Sequence, residues 1–101
     1  MKIDLKPNEL VVKAGDSQFI NGKIVKGKLI VTNQRLYFEA MAQEDKLYNQ
    51  EILSSDIREV LPFSTFAFLS NGLNIITKGG EELKFKVKKR KSWELLINKM
   101  Y

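Results

Sequence analysis

The sequence predicts an α+β chain that is mostly β, with about seven short antiparallel strands followed by one C-terminal helix. Three observations carry that prediction. Leu83, Phe85 and Val87 alternate with Lys84, Lys86 and Lys88, the two-residue period of a half-buried strand with its apolar side in and its charged side out. Asn21-Gly22 and Gly79-Gly80 are dipeptides that close tight hairpins, because they accept the positive φ such turns need. Trp93, Leu96, Ile97 and Met100 recur at i, i+3, i+4 and i+7, which is one face of a helix. At 101 residues the chain is one domain, 1–101, with a lead-in over 1–9, strands over 10–88 and a helix over 89–101.

The elements follow in order. Pro7-Asn8 is turn chemistry in an irregular lead-in, and Glu9–Lys13 suits either a short strand or a single turn. Gln18-Phe19-Ile20 is a strand running into Asn21-Gly22, and a loop centred on residues 22–27 is expected to close the first hairpin. Lys28-Leu29-Ile30-Val31 forms the return strand and Thr32-Asn33-Gln34 the next turn. Arg35–Glu39 then alternates, with Leu36 and Phe38 on one face and Arg35, Tyr37 and Glu39 on the other.

Gln43–Lys46 is polar and reads as a loop, Leu47–Leu53 as a strand and Ser54-Ser55-Asp56 as a turn. Ile57–Leu61 is a strand that Pro62 ends or marks as a sheet edge, since proline cannot donate to a ladder. Phe63–Leu69, Leu73–Lys78 and Glu82–Lys88 complete the strands. The helix is expected near Arg90–Met100, with Ser92 as its cap and Glu94 in its first turn. A run of strands closed by a single helix implies a curled sheet with the helix covering its open end.

Composition removes whole classes of function. The chain has no cysteine, which excludes disulfides and thiolate metal sites and fits a reducing compartment. It has no histidine either, and so lacks the commonest transition-metal ligand and general base. Glu44-Asp45 and Glu81-Glu82 are adjacent acids in loops or turns, and no glycine-rich phosphate loop is present. The reading is a non-enzyme without a cofactor. The N-terminal MKIDLKPNELVV has no apolar core of a signal peptide. The uncharged run Val60–Thr77 is broken by Pro62, Asn71, Gly72 and Asn74, too polar for a membrane span. A cytoplasmic protein is expected, with peripheral contact at the inner membrane face as the second reading.

The run Gly27-Lys28-Leu29-Ile30-Val31-Thr32-Asn33-Gln34-Arg35-Leu36-Tyr37-Phe38 resembles the signature of the GRAM domain. Asp56-Ile57 with Val60, then Phe85, then Trp93 in a terminal helix are similar to later landmarks of that family. The resemblance covers nearly the whole chain. It implies a pleckstrin-homology-like fold, two roughly orthogonal antiparallel sheets forming a partly open barrel with the last helix plugging a corner. In that fold Gly27 would sit in a tight turn at positive φ, Leu29, Val31, Leu36 and Phe38 would fill the core, and Trp93 would be the plug.

Three features compete for a functional role. The net charge of +5 is concentrated over Lys84–Lys91, where Lys84, Lys86 and Lys88 share one strand face about 14 Å long and residues 89–91 extend it. Its functional reading is an anionic partner; its plain reading is a solvated face that deters edge pairing. Lys23, Lys26 and Lys28 lie around the first hairpin, where the resemblance implies phosphoinositide-binding residues, though Lys26-x-Lys28 only half matches that pattern and its arginine is missing. Phe63, Phe66 and Phe68 beside Pro62 are either core or an exposed docking patch. Nucleic acid is disfavoured, because the aromatics are needed in the core and no DNA or RNA motif appears. The expected function is a non-catalytic module that binds a protein or peptide, through an exposed sheet edge or the Pro62–Phe68 segment. The alternative is weak peripheral binding to anionic membrane headgroups through the lysines.

Overall fold

The computed structural model describes residues 5–65 and 69–101, the side chains of 63–65 and 69–70 excepted. The order is β1 (Val11–Ile20), β2 (Ile24–Thr32), β3 (Arg35–Ala40), β4 (Gln50–Leu53), β5 (Ile57–Thr65), β6 (Leu69–Thr77), β7 (Glu82–Val87) and α1 (Arg90–Ile97). Every ladder is antiparallel, and the spatial order is β4-β3-β2-β1-β7-β6-β5. Pairing is continuous through β1, whose Ser17–Ile20 segment bonds to β2 on one side and β7 on the other. The two halves therefore join as one open sheet, with β4 and β5 as its edges.

Alternation places the core. Phe19, Leu29, Phe38, Leu73, Ile75 and Phe85 point to one face and are buried, and α1 adds Trp93 and Ile97 to the same cluster. At its centre Phe19, Phe38 and Phe85 pack as a tilted trio with ring centroids 5.2–5.7 Å apart. Phe19 and Phe85 are direct cross-strand partners, so aromatic packing reinforces the junction between the two halves of the sheet.

Local chemistry moves several boundaries from their expected places. The first hairpin closes over Asn21–Lys23, with the Asn21 N–H donating to the Lys23 carbonyl at 2.9 Å and Gly22 at φ 72°. β2 thus starts at Ile24, and residues 24–27 are strand rather than loop. Gly27 lies inside β2, where its φ is not positive; a Cβ there would overlap the Glu39 carbonyl and sit 2.7 Å from Phe38 Cζ. The glycine is needed for close approach of β3, not for a turn. Residues 43–48 form a 3₁₀ turn held by Lys46 Nζ on the Ala40 carbonyl (2.6 Å) and the Ala40 N–H on Asn49 Oδ1 (2.8 Å), which delays β4 to Gln50. β5 continues through Pro62, opposite Leu73, because an edge strand tolerates a missing donor. Lys89, not Ser92, precedes α1; it has left-handed geometry (φ 54°, ψ 53°) and no side-chain cap, and Glu94 falls beyond the first turn.

The lead-in is tied down by the turn between β2 and β3. Asn33 accepts from the Leu10 N–H at 2.8 Å and donates to the Asn8 carbonyl at 3.0 Å, and Gln34 reaches the Pro7 carbonyl at 3.1 Å. Glu9, buried, takes hydrogen bonds from Thr32, Arg35 and the Lys6 N–H. Arg35 is accordingly buried, although its place in the alternation predicts an exposed face.

Candidate lysine face

The outer face of the sheet, opposite the core, is where the lysines gather. Gln18 on β1 is the register partner of Lys26 on β2 and of Lys86 on β7. Lys26, Gln18 and Lys86 therefore form one row across three strands, with the two lysine backbones about 10 Å apart at two strand spacings. The next row pairs Lys28 with Asp16, and Lys88, just past the end of β7, lines the same cavity as Lys86. Lys84 is exposed on this face toward the first hairpin, opposite Ile20 and Asn74. The two groups of lysines that look independent in the sequence are thus one surface.

Between the rows lies a shallow cavity of about 230 Å³, walled by Lys26, Lys86, Lys88, Asp16 and Gln18 over the backbone of Ser17 and Gly27. Its size is below the roughly 300–1,000 Å³ of sites that engulf a drug-sized molecule, and suits a phosphate or a single headgroup. Three lysines against one aspartate leave it positive. None of Lys26, Lys28, Lys86 and Lys88 enters an ion pair among the described residues. Exposed Met41 sits on the rim, its N–H bonded to the Lys26 carbonyl at 2.8 Å. An adjoining cavity of about 240 Å³ holds Lys28, Lys46 and Glu39. Glu39 Oε2 accepts from Lys46 at 3.2 Å while its buried Oε1 has no hydrogen-bond partner among the described residues, so an anion fits the first cavity better.

Lys23 stands apart from the face. It is bound to Asp45 at 2.9 Å and lies over the Tyr48 ring at 5.2 Å, and the Asp45 hydrogen bond raises its pKa. That pairing ties the hairpin to the 3₁₀ turn and commits its charge. Phe66 and Phe68 lie outside the described residues, as does the Phe63 side chain, whose backbone pairs with Gly72. Asp16, Gln18, Met41 and Lys46 join the site without a signal in the sequence, since only strand register brings them there. Among the described residues no acidic cluster could hold a metal ion, and no helix is long and apolar enough to cross a membrane.

Comparison with known proteins supports the architecture. The family model described as GRAM domain matches residues 1–100. A search of curated proteins finds no match. Among solved structures the chain is similar to the C-terminal domain of an unknown protein from Leishmania infantum, with 12% identity, 93% of this chain and 85% of that one covered, and a TM-score of 0.80. It is similar to the Vps36 N-terminal PH domain at 17% identity, 95% and 84% coverage and a TM-score of 0.70. The Slm1 PH domain in complex with inositol-4-phosphate matches at 16% identity, 89% and 92% coverage and a TM-score of 0.63. The strand order, the terminal helix and the family match agree: the chain belongs to the GRAM domain family and is a small binding module of pleckstrin-homology-like fold.

Proposed function

We propose that this domain is a non-catalytic module that binds anionic, phosphate-bearing membrane headgroups on its outer lysine face. The observation that carries the reading is the row Lys26–Gln18–Lys86, which turns two dispersed basic segments into one positive, concave surface. A solved structure of the same fold, the Slm1 PH domain, has been captured with inositol-4-phosphate and with phosphoserine, which supports phosphate ligands for a domain of this fold. Exposed Ile24 and Met41 beside Lys26 add apolar contact next to the charge. Each lysine near an anionic bilayer contributes about 1 kcal/mol, so three or four engaged together give roughly 3–4 kcal/mol. That is millimolar-range, salt-sensitive association, suited to a peripheral and reversible contact. Protein docking through Phe63, Phe66 and Phe68 stays an expectation from the sequence, because those side chains are not described.

Co-sedimentation with phosphatidylcholine vesicles, with and without phosphatidylserine, tests the reading. Binding is expected only to the anionic vesicles, declining as salt rises toward about 0.15 M, where the screening length is near 8 Å. Lys26→Glu/Lys86→Glu removes it. A soluble inositol phosphate that competes points to headgroup recognition in the cavity, and one that does not points to the charged surface as a whole. Absence of sedimentation at low salt, or sedimentation undiminished in the double variant, overturns the proposal.

A further inference from the structure

The ladders leave one stretch of β1 with a single neighbour. β1 pairs with β2 along its length, but β7 covers only Ser17–Ile20. The chain does not continue along β1 after Val87, because the left-handed Lys89 turns it off the strand line and into α1. From Val12 to Asp16 the outer side of β1 therefore has no backbone hydrogen-bond partner among the described residues. That is about 14 Å of unpaired strand edge.

A groove runs along it. α1 lays Trp93 beside Gly15, where a Cβ would stand only 3.2 Å from the indole Cζ2. Between the β1 edge and this ring is a cavity of about 190 Å³, lined also by Lys13, Asp16, Lys88 and Lys89. Lys13 Nζ lies 5.0 Å from the indole centroid. None of these three lysines forms an ion pair among the described residues, and the groove carries three positive charges against one negative.

We infer that this edge captures an extended acidic peptide by strand addition. The peptide main chain would complete the hydrogen bonding of Val12–Asp16, and its carboxylates would meet Lys13, Lys88 and Lys89. The charge of the groove selects this occupant. A second copy of the chain would set one lysine-rich edge against another, an arrangement that like charges oppose. A lipid headgroup carries no run of alternating donors and acceptors to pair with a strand. The groove shares Lys88 and Asp16 with the first cavity, but Lys13 and Lys89 line only the groove and Lys26 and Lys86 only the first cavity, so the variants at those pairs test the two proposals apart.

The chain's single tryptophan, Trp93, sits in this groove and supplies a reporter. The probe is an end-blocked hexapeptide, Asp-Val-Glu-Val-Asp-Ser, titrated against the full chain at low salt. A saturable change in Trp93 fluorescence is expected, with amide NMR shifts centred on Val12–Asp16. Lys13→Glu/Lys89→Glu, with the rest of its amide spectrum unchanged, weakens binding about tenfold or more. The same peptide N-methylated at alternate residues keeps its charge, loses its donors and does not bind. Three results overturn the inference: no saturation by about 5 mM peptide, a range that reaches the weakest useful affinities; equal binding of the N-methylated peptide; or self-association of the free chain that protects Val12–Asp16 amides, which assigns the edge to a second copy.

Discussion

Arg35 meets the Glu9 carboxylate at two points, Nε to Oε2 at 2.8 Å and Nη2 to Oε1 at 3.1 Å, and the Glu9 side chain is closed off from solvent. Thr32 Oγ1 adds a third bond at 2.6 Å, so the turn between β2 and β3 grips the lead-in by its only buried carboxylate among the described residues. Glu9→Gln puts amide hydrogens against a guanidinium and leaves a buried cation short of its partner. A loss of about 3 kcal/mol is expected, at the low end for a broken buried pair, since Glu51 still bonds Arg35 at 2.6 Å. Urea unfolding of the two proteins at pH 7 measures it.

The same contact makes stability depend on acid. Hydrogen bonds from Arg35, partly opposed by burial, pull the Glu9 pKa from its ordinary 4.5 down to about 2. The folded value lies below the unfolded one, so the stabilisation is complete above about pH 4.5 and drains away as the pH falls toward 2. Urea midpoints taken at pH 7, then through that window, should fall less steeply for Glu9→Gln than for the parent chain. Parallel curves would disconnect Glu9 from the acid sensitivity.

Gly27 and Gly22 should respond differently to alanine. A Cβ on Gly27 collides with the Glu39 carbonyl and Phe38, so Gly27→Ala is expected to cost about 1–3 kcal/mol or more as β3 is pushed off β2. Gly22 has φ 72° but open space around it, so Gly22→Ala costs only the left-handed penalty of about 1–2 kcal/mol, and Gly22→Asn less. Thermal melts of the three variants rank them.

Trp93 is nearly fully buried and joins α1 to the sheet. Trp93→Ala should cost about 3–5 kcal/mol. Small domains hold only about 5–15 kcal/mol in total, so the variant is expected to be largely unfolded at body temperature. Circular dichroism follows this without a tryptophan signal, and a melting temperature within a few degrees of the parent would remove Trp93 from the role of plug.

Tyr101 closes part of the β5 edge. Its hydroxyl accepts from the Val60 N–H at 3.0 Å and donates to Asn98 Oδ1 at 2.6 Å. Tyr101→Phe should cost about 1 kcal/mol and speed hydrogen exchange at the Val60 amide, with little change in the β2 amides.

What the sequence displays is what depends on neighbours along the chain. The alternation of β7 and the helical spacing of Trp93 and Ile97 stand in the structure as read, while the Gly79-Gly80 turn widens to take in Lys78, with the Thr77 N–H donating to the Glu81 carbonyl and Gly80 rather than Gly79 at positive φ. Partners brought together by folding are invisible in that reading. Arg35 reads as an exposed residue because nothing in its own strand announces Glu9, and the row Lys26–Gln18–Lys86 exists only once β1 is known to pair on both sides. Gly27 misleads for a related reason. A glycine in a hairpin loop and a glycine packed against its paired neighbour strand look alike without the register Gly27↔Ala40. Lys89 gives no sign either, since lysine is not a residue type that favours the left-handed backbone it adopts.

The central place of β1 has a consequence for how the molecule is made. Ser17 Oγ bonds the Lys86 carbonyl, 69 residues further along the chain. On the ribosome, β1 to β4 can meander together as they emerge, but the strand that completes the middle of the sheet is the last to be synthesised. At roughly 5–20 residues per second, the Phe19 side of β1 waits several seconds or more for Phe85. Throughout that interval the nascent chain shows a naked strand edge and an aromatic half-core, a vulnerable state that ends once β7 emerges and pairs with β1.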